Sequence, residues 1–416
     1  MINSTHRMNI HDLIYDWNAE SARAESRPPR RSVVLNDETL RDGLQSPSVT
    51  DPSPEEKVQL IHLMDALGIR AADIGLPGAG PRAKADVLLL AKEIVRAGLR
   101  ISPNCAARTM IRDIEPIVEV SEAAGIAIEA ATFIGSSPIR QYTEGWDIDR
   151  LLRHTEEAVS YAVSKGLPVM YVTEDTTRAA PETIRRLYTT AIECGARRAC
   201  LSDTVGHATS DGARALVKFI REVIRDTGED VAVDWHGHRD RGFAVTNALA
   251  AWEAGADRLH GTALGIGERV GNTEMELLLV NLRLLGAIDA DLSRLPEYCE
   301  LAARACGVPI PCNYPVVGSD AFRTGTGVHA AAIIKAERKG ERDLVDYVYS
   351  GVPAHLVGRT QEIEIGPMSG ESNVLYWLER RGHAAPAELV SRILSCAKLS
   401  KRTLTPEEIE ALLLEA

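Results

Sequence analysis

Apolar and polar positions fall into alternating blocks along this chain. Short β-branched or apolar runs recur at intervals of roughly 30 residues, each followed by a longer stretch with apolar residues at helical spacing. The short runs lie at 32–36, 71–76, 100–104, 127–133, 168–173, 198–202, 231–235 and 257–262. Between them, stretches such as 55–67, 84–97, 182–194 and 212–226 predict amphipathic helices. Several follow Pro, Ser, Thr or Asp, residues that suit a helix start. This rhythm is that of βα units around a parallel sheet. Eight units match a closed barrel, whereas an open doubly wound sheet normally stops at about five to seven strands. The expected fold class is therefore α/β, with a (β/α)8 TIM barrel over residues 31–290.

After Leu285 the rhythm changes, and 291–416 predict a smaller, mostly helical C-terminal domain, with final helices near 390–401 and 406–414. Residues 1–30 hold a short amphipathic patch at 10–17 and then an Arg-, Ser- and Pro-rich stretch, so an N-terminal arm or linker is expected there. Polar residues mark the C-terminal ends of the predicted strands: Asp37, Asp73, Asn104, Glu174, Asp203 with Thr204, and His236 with His238. That is the face on which barrel enzymes build their sites.

Composition then narrows the classes. A formal charge of -12 argues against nucleic-acid or anionic-membrane partners, although a local arginine cluster can still attract small anions. Seven cysteines are dispersed without a CxxC pair, which reads as reduced thiols rather than a disulfide framework or thiolate zinc site. No leader-like apolar region opens the chain, and no run long enough to span a membrane follows. A cytoplasmic protein is expected.

The candidate chemistry is carried by a few segments. NDETLRDGLQ, residues 36–45, packs Asp37, Arg41 and Asp42 at the end of the first strand, where a carboxylate and a guanidinium can hold a cation and an anionic substrate together. In WHGHRDRG, His236 and His238 are two apart in a strand, so both imidazoles project to one side. They read either as metal ligands or as two hydrogen-bonded histidines; with Asp42 they form a mixed N/O set suited to Mg, Mn, Zn or Fe(II). GTALGIGERVGN, residues 261–272, is a glycine-rich turn at the eighth strand that can seat an anion, with Gly267 in the turn, Arg269 as anion partner and Asn272 as a neutral oxygen ligand. Glu174, in YVTEDTTR, can orient a base or bind water, or pair with Arg178 at helical spacing. His329 follows a Gly-rich turn in the small domain, a position more often a cap or surface residue than a catalyst.

In this order, ETLRDGLQ, TEDTTR, SDTVG, HGHRDRG, GIGERVGN and TGVHAAAIIK strongly resemble the motifs of the 2-isopropylmalate synthase and homocitrate synthase family, over about residues 32–380. The resemblance implies a Claisen-type condensation of acetyl-CoA with a 2-oxo acid, then thioester hydrolysis to a 2-hydroxy dicarboxylate and CoA. It implies Asp42, His236, His238 and Asn272 around a divalent metal (Mg, Mn or Zn). Arg41 would be the electrophilic arginine, Thr204 the hydroxyl that holds the substrate carboxylate, and Gln45 a support from the loop. Glu174, His329 and Tyr349 would form the acid/base set. Asn104, Arg140, Gly267 and Arg269 would contact substrate. A homodimer is implied, in which the C-terminal domain of one subunit reaches over its neighbour's barrel.

The chain departs from the family pattern at Arg239, Asp73, Val172 and Arg140, where Asn, Glu, Ser and His are usual. These positions bear on the 2-oxo acid. Leu76, Val172 and GERVGN favour 2-oxoisovalerate, giving 2-isopropylmalate and leucine biosynthesis; Arg140 or Arg239 could instead serve a distal carboxylate, as in a homocitrate synthase, and a citramalate-type synthase is a further alternative. The chain ends about where the small domain should, so no C-terminal regulatory domain and no leucine feedback are expected. A 3-hydroxy-3-methylglutaryl-CoA lyase would need a cysteine in the glycine loop, where this chain has GIGERVGN.

Overall fold

The computed structural model describes residues 10–18 and 32–414. Two compact units divide it, Arg30–Pro309 and a second of Ile310–Ala416 with the described N-terminal residues.

In the first unit, eight parallel strands close into a barrel in sequence order. They are β1 Val34–Asp37, β2 Ala71–Asp73, β3 Ser102–Arg108, β4 Glu129–Gly135, β5 Val169–Glu174, β6 Arg198–Asp203, β7 Ala232–Gly237 and β8 Arg258–Gly261. Closure comes from β1 pairing with both β2 and β8, with Asp37 opposite Ala72 and Gly261. The register brings Gly135 beside Glu174 and Asp203 beside Gly237 at one rim, whereas Asn104, expected at a strand end, lies beside Asp73 inside β3, which runs on to Arg108.

The outer helices are α1 Pro54–Ala66, α2 Pro81–Ala97, α3 Ile111–Ala124, α4 Pro138–Glu144, α5 Ile148–Ser164, α6 Pro181–Glu193, α7 Ser210–Thr227, α8 Ala244–Ala254, α9 Met275–Leu284 and α10 Leu295–Cys306. Local chemistry sets their starts. Ser53 and Glu56 form a reciprocal capping box ahead of Pro54 in α1. The buried residues of α7, Ala213, Val217, Ile220, Val223 and Ile224, trace one helical face toward the strands.

Part of the barrel interior is ionic rather than apolar. Glu129 and Asp234 bridge Arg198 and Arg258, with contacts of 2.5–3.0 Å. A small apolar layer of Ala131, Met170 and Cys200 accompanies them.

One boundary differs from the sequence expectation. The helix α10 packs on α1 within the barrel unit, which runs to Pro309 rather than ending at 290. Its buried face carries Tyr298, Cys299, Ala302 and Cys306, and the Tyr298 hydroxyl donates to Asp37. A helix anchored on the first strand cannot be assigned from its own periodicity, which only shows that one face is buried.

The second unit contains a two-stranded parallel sheet, β9 Arg323–Thr324 and β10 Glu362–Ile363. Its helices are α11 Gly327–Arg338, α12 Arg342–Tyr347, α13 Glu371–Arg380, α14 Ala387–Leu399 and α15 Pro406–Leu414. Val374, Trp377, Leu378, Ile393 and Ile409 form its core, so the mostly helical character expected from sequence is present. Most of the expected N-terminal arm lies outside the described residues; within it, Ile10–Leu13 form one 3-10 turn. Among the described residues no helix is long and apolar enough to cross a membrane.

Candidate metal centre and active site

The end of β1 separates its acidic residues by strand alternation. Asp37 points outward, where it accepts hydrogen bonds from the Thr39 backbone N–H at 2.8 Å and from Tyr298. Burial pushes its carboxyl up to about 6, against the hydrogen bonds that favour the anion. Asp37 is therefore a structural residue outside the cluster that sequence placed around it. Glu38, on the other face, is the residue sequence reasoning missed. One oxygen meets Nδ1 of His236 at 2.6 Å, and the other meets the Arg41 guanidinium and Nδ1 of His260, each at 3.0 Å.

Asp42 follows in the tight turn after the strand, and His236 and His238 arrive from β7. Nε2 of each imidazole lies 3.6 Å from Oδ2 of Asp42. That separation is too long for a hydrogen bond and suits three ligands converging on one cation. All three side chains are buried, and their ligand atoms lie within 4.8 Å of one another. With Nδ1 of His236 hydrogen-bonded to Glu38, a neutral His236 leaves Nε2 as its lone-pair nitrogen, the arrangement usual for a metal-ligating imidazole. Burial and the neighbouring His236 push His238 down to about 4, which also keeps a lone pair available.

Asn272 bridges to His238 through the backbone, and its side-chain N–H donates to Asp42. Its Oδ1 is buried and has no hydrogen-bond partner, as befits a weak fourth ligand. Gly267, with φ +157°, lies against that amide, and a Cβ there would strike Asn272 Oδ1. A second grouping capable of metal binding, Glu38 with His236 and His260, shares an imidazole with the first. Its direct hydrogen bonds make it the support of the first site rather than an independent one.

Arg41 is held on three sides. Its Nε donates to Asp73 at 2.7 Å, and its terminal nitrogens reach Glu38 and Asp42 at 3.0 Å. Burial opposes its charge, yet Asp42, Asp73 and Glu38 hold its pKa well above the ordinary arginine range. Behind it, His260 links Glu38 to Asp234 at 2.8 Å and so to the ionic layer of the barrel. Although burial disfavours its charge, the Glu38 and Asp234 carboxylates raise His260 to about 9.

Glu174 sits at the rim end of β5, its carboxyl pKa raised chiefly by burial. The alternative pairing with Arg178 does not form, because Asp175 takes that guanidinium bidentately at 2.7–2.8 Å. Glu174 instead faces Arg140 at 3.7 Å. The Thr204 hydroxyl oxygen accepts the Asp175 N–H at 2.8 Å, which leaves its own proton free to donate. Asn104 is buried, with its amide N–H donating to Asn36 at 2.6 Å. Gln45 is exposed, and its backbone N–H bonds the Asp42 carbonyl at 3.1 Å.

Arg269, the expected anion partner, is held within the chain. Asp240 takes its guanidinium at 2.9 and 3.1 Å, and a third N–H donates to the Thr204 carbonyl at 2.6 Å. In the second unit, the His329 and Tyr349 rings stack with centroids 4.1 Å apart, both exposed at the surface.

A closed parallel barrel with two histidines and an aspartate buried at its C-terminal rim defines a candidate metal-dependent barrel enzyme. The HMGL-like family model matches residues 32–301, and the chain belongs to that family. Its relatives include the homocitrate synthase AksA of Methanopyrus kandleri, 34% identical over 88% of this chain and 87% of the relative. A probable 2-isopropylmalate synthase of Ignicoccus hospitalis is 31% identical, with 88% and 87% covered. The putative (R)-citramalate synthase CimA of M. kandleri is 32% identical, with 90% and 69% covered. Among solved structures, the HMG-CoA lyase of Bacillus subtilis superposes with a TM-score of 0.57 at 21% identity, covering 68% of this chain and 96% of that one, and so supports the fold.

Proposed function

We propose that this chain condenses acetyl-CoA with a 2-oxo acid and hydrolyses the resulting thioester, releasing CoA. The observation that carries the reading is the convergence of Asp42, His236 and His238, with Asn272 Oδ1 unpartnered beside them. These groups fit a divalent cation such as Mg, Mn or Zn, which when bound supplies Lewis acidity and a template for an oxo acid. Relatives named homocitrate, 2-isopropylmalate and citramalate synthases support the reaction class.

The chain's own residues then divide the work. Arg41 is pre-positioned by three carboxylates to stabilise negative charge developing on the keto oxygen. Thr204 donates its free hydroxyl proton to the substrate carboxylate. Glu174, buried enough to bind a proton more readily than an ordinary glutamate, handles protons at the acetyl methyl group. The methyl group loses a proton, its carbon bonds to the keto carbon, and the alkoxide takes up a proton. Water then cleaves the thioester to a carboxylic acid and free CoA. The homodimer implied by the resemblance belongs to this reading, with His329 and Tyr349 as acid/base groups that a second copy would bring. In its finer form, Leu76 and Val172 support 2-oxoisovalerate as the oxo acid; the charge beside Glu174 supports an acidic one.

Calorimetric titration with Mn2+ tests the centre directly. The wild-type chain is expected to bind one ion per barrel, and Asp42→Asn to lose that binding at least ten-fold while keeping its circular dichroism. Unchanged affinity in the variant would remove Asp42 from the metal shell.

A further inference from the structure

Several arginines stand at the C-terminal rim, and protein acceptors hold most of them. Arg41 is enclosed by Glu38, Asp42 and Asp73, and Arg178 by Asp175. Arg239 donates to the Val270 carbonyl at 2.6 Å and to Glu274 at 2.7 Å. Arg241 donates to the His207 carbonyl at 2.7 Å, and Arg269 is held by Asp240. Arg140 differs. Its nearest carboxylate is Glu144, one helical turn away at 3.2 Å in an exposed pair of the kind that contributes little. Glu174 lies at 3.7 Å, beyond hydrogen-bond range. Its Nε is buried with no hydrogen-bond partner, an unused donor on a guanidinium fork.

The position of that fork is set by the strand ends. Gly135, opposite Glu174 in the β4–β5 register, leaves the space, since a Cβ there would come within 3.0 Å of Arg140 Nε. Arg41 and Arg140 both act electrostatically on the Glu174 carboxyl, so Glu174 stands near both cations. A 2-oxo acid whose keto and carboxylate oxygens engage Arg41 and Asp42's neighbourhood would extend its side chain past Glu174 toward Arg140. A guanidinium with a free buried donor is poorly matched to an isopropyl group and well matched to a planar oxyanion.

We propose that Arg140 selects a 2-oxo acid whose side chain ends in a second anionic group, a carboxylate or comparable oxyanion. This inference rests on the condensation reading above and names its substrate class as acidic rather than branched and apolar. Arg239, the other basic residue with a claim to that role, is already bonded to Glu274 and the loop carbonyl.

The test pairs turnover with binding. CoA release from acetyl-CoA is measured with oxaloacetate, 2-oxoglutarate and 2-oxoisovalerate, and each oxo acid is titrated calorimetrically into the Mg2+-loaded protein. Wild type is expected to favour one of the diacids in both readouts. Arg140→Met is expected to reduce the diacid-to-monoacid ratio of kcat/KM, and of affinity, at least ten-fold, and Arg140→Lys to restore part of it. Preference for 2-oxoisovalerate, or a ratio unmoved in Arg140→Met, overturns the inference while leaving the condensation in place. CoA release with none of the three counts against the condensation, and the binding titration still decides Arg140: diacid affinity lost in Arg140→Met supports its role, and equal affinity refutes it.

Discussion

Glu38 holds the candidate site together, because one carboxylate orients His236, Arg41 and His260 at once. Glu38→Gln keeps the volume but removes the charge. It is expected to weaken Mn2+ affinity by roughly 10- to 100-fold, the usual consequence of losing a ligand's supporting carboxylate. An affinity within two-fold of wild type would show that Glu38 does not act through His236. Gly267 offers a second test. Gly267→Ala forces a methyl group toward Asn272 Oδ1, and kcat/KM is expected to fall at least about ten-fold with the fold retained, as for other misplaced site groups. Wild-type kcat/KM would show that the amide's placement is unimportant. At this scale the sequence was legible where spacing carries geometry: His236 and His238 are two apart at the end of β7, and Nε2 of each faces Asp42. It was illegible where pairing is decided by distant loops. Arg178 turned to Asp175 and Arg269 to Asp240, and neither choice is written in local spacing.

At the scale of elements, the eight strands were legible from the regular recurrence of short apolar runs, even though β4, β6, β7 and β8 also carry the interior charges Glu129, Arg198, Asp234 and Arg258. The placement of α10 was not legible, because its partners, Asp37 and Thr39, lie some 260 residues earlier. That anchor has a measurable pH dependence. Asp37 is raised from 3.8 to about 6, so its proton is bound more tightly in the folded chain. Its contribution is fully present below about pH 4 and lost as pH rises through 6. Asp37→Asn cannot ionise and escapes that loss. Its stability relative to wild type is expected to increase by about 1 kcal/mol between pH 5 and pH 7.5, read from urea midpoints at both pH values. A difference that stays constant across this range would show that the Asp37 carboxyl is not perturbed. The interior ion pairs invite no similar stability argument, since desolvation offsets most of the attraction of buried charges. Their role is to fix His260 and Glu38 beneath the site.

The molecule as a whole combines a barrel unit that carries the candidate metal centre and a helical unit that carries the His329–Tyr349 stack. The order of motifs along the chain made the family readable from sequence; charge placement at the rim bears on the substrate. The function proposed for this site is metal-dependent carbon–carbon bond formation from acetyl-CoA. Its most direct test is thiol release from acetyl-CoA with a panel of 2-oxo acids, run with Mg2+ or Mn2+ and again after chelation. Release is expected to require both an oxo acid and the divalent ion, with stoichiometric formation of a 2-hydroxy acid that carries one carboxylate more than the oxo acid. Release that persists undiminished with the metal removed, or none with any oxo acid in its presence, would contradict it.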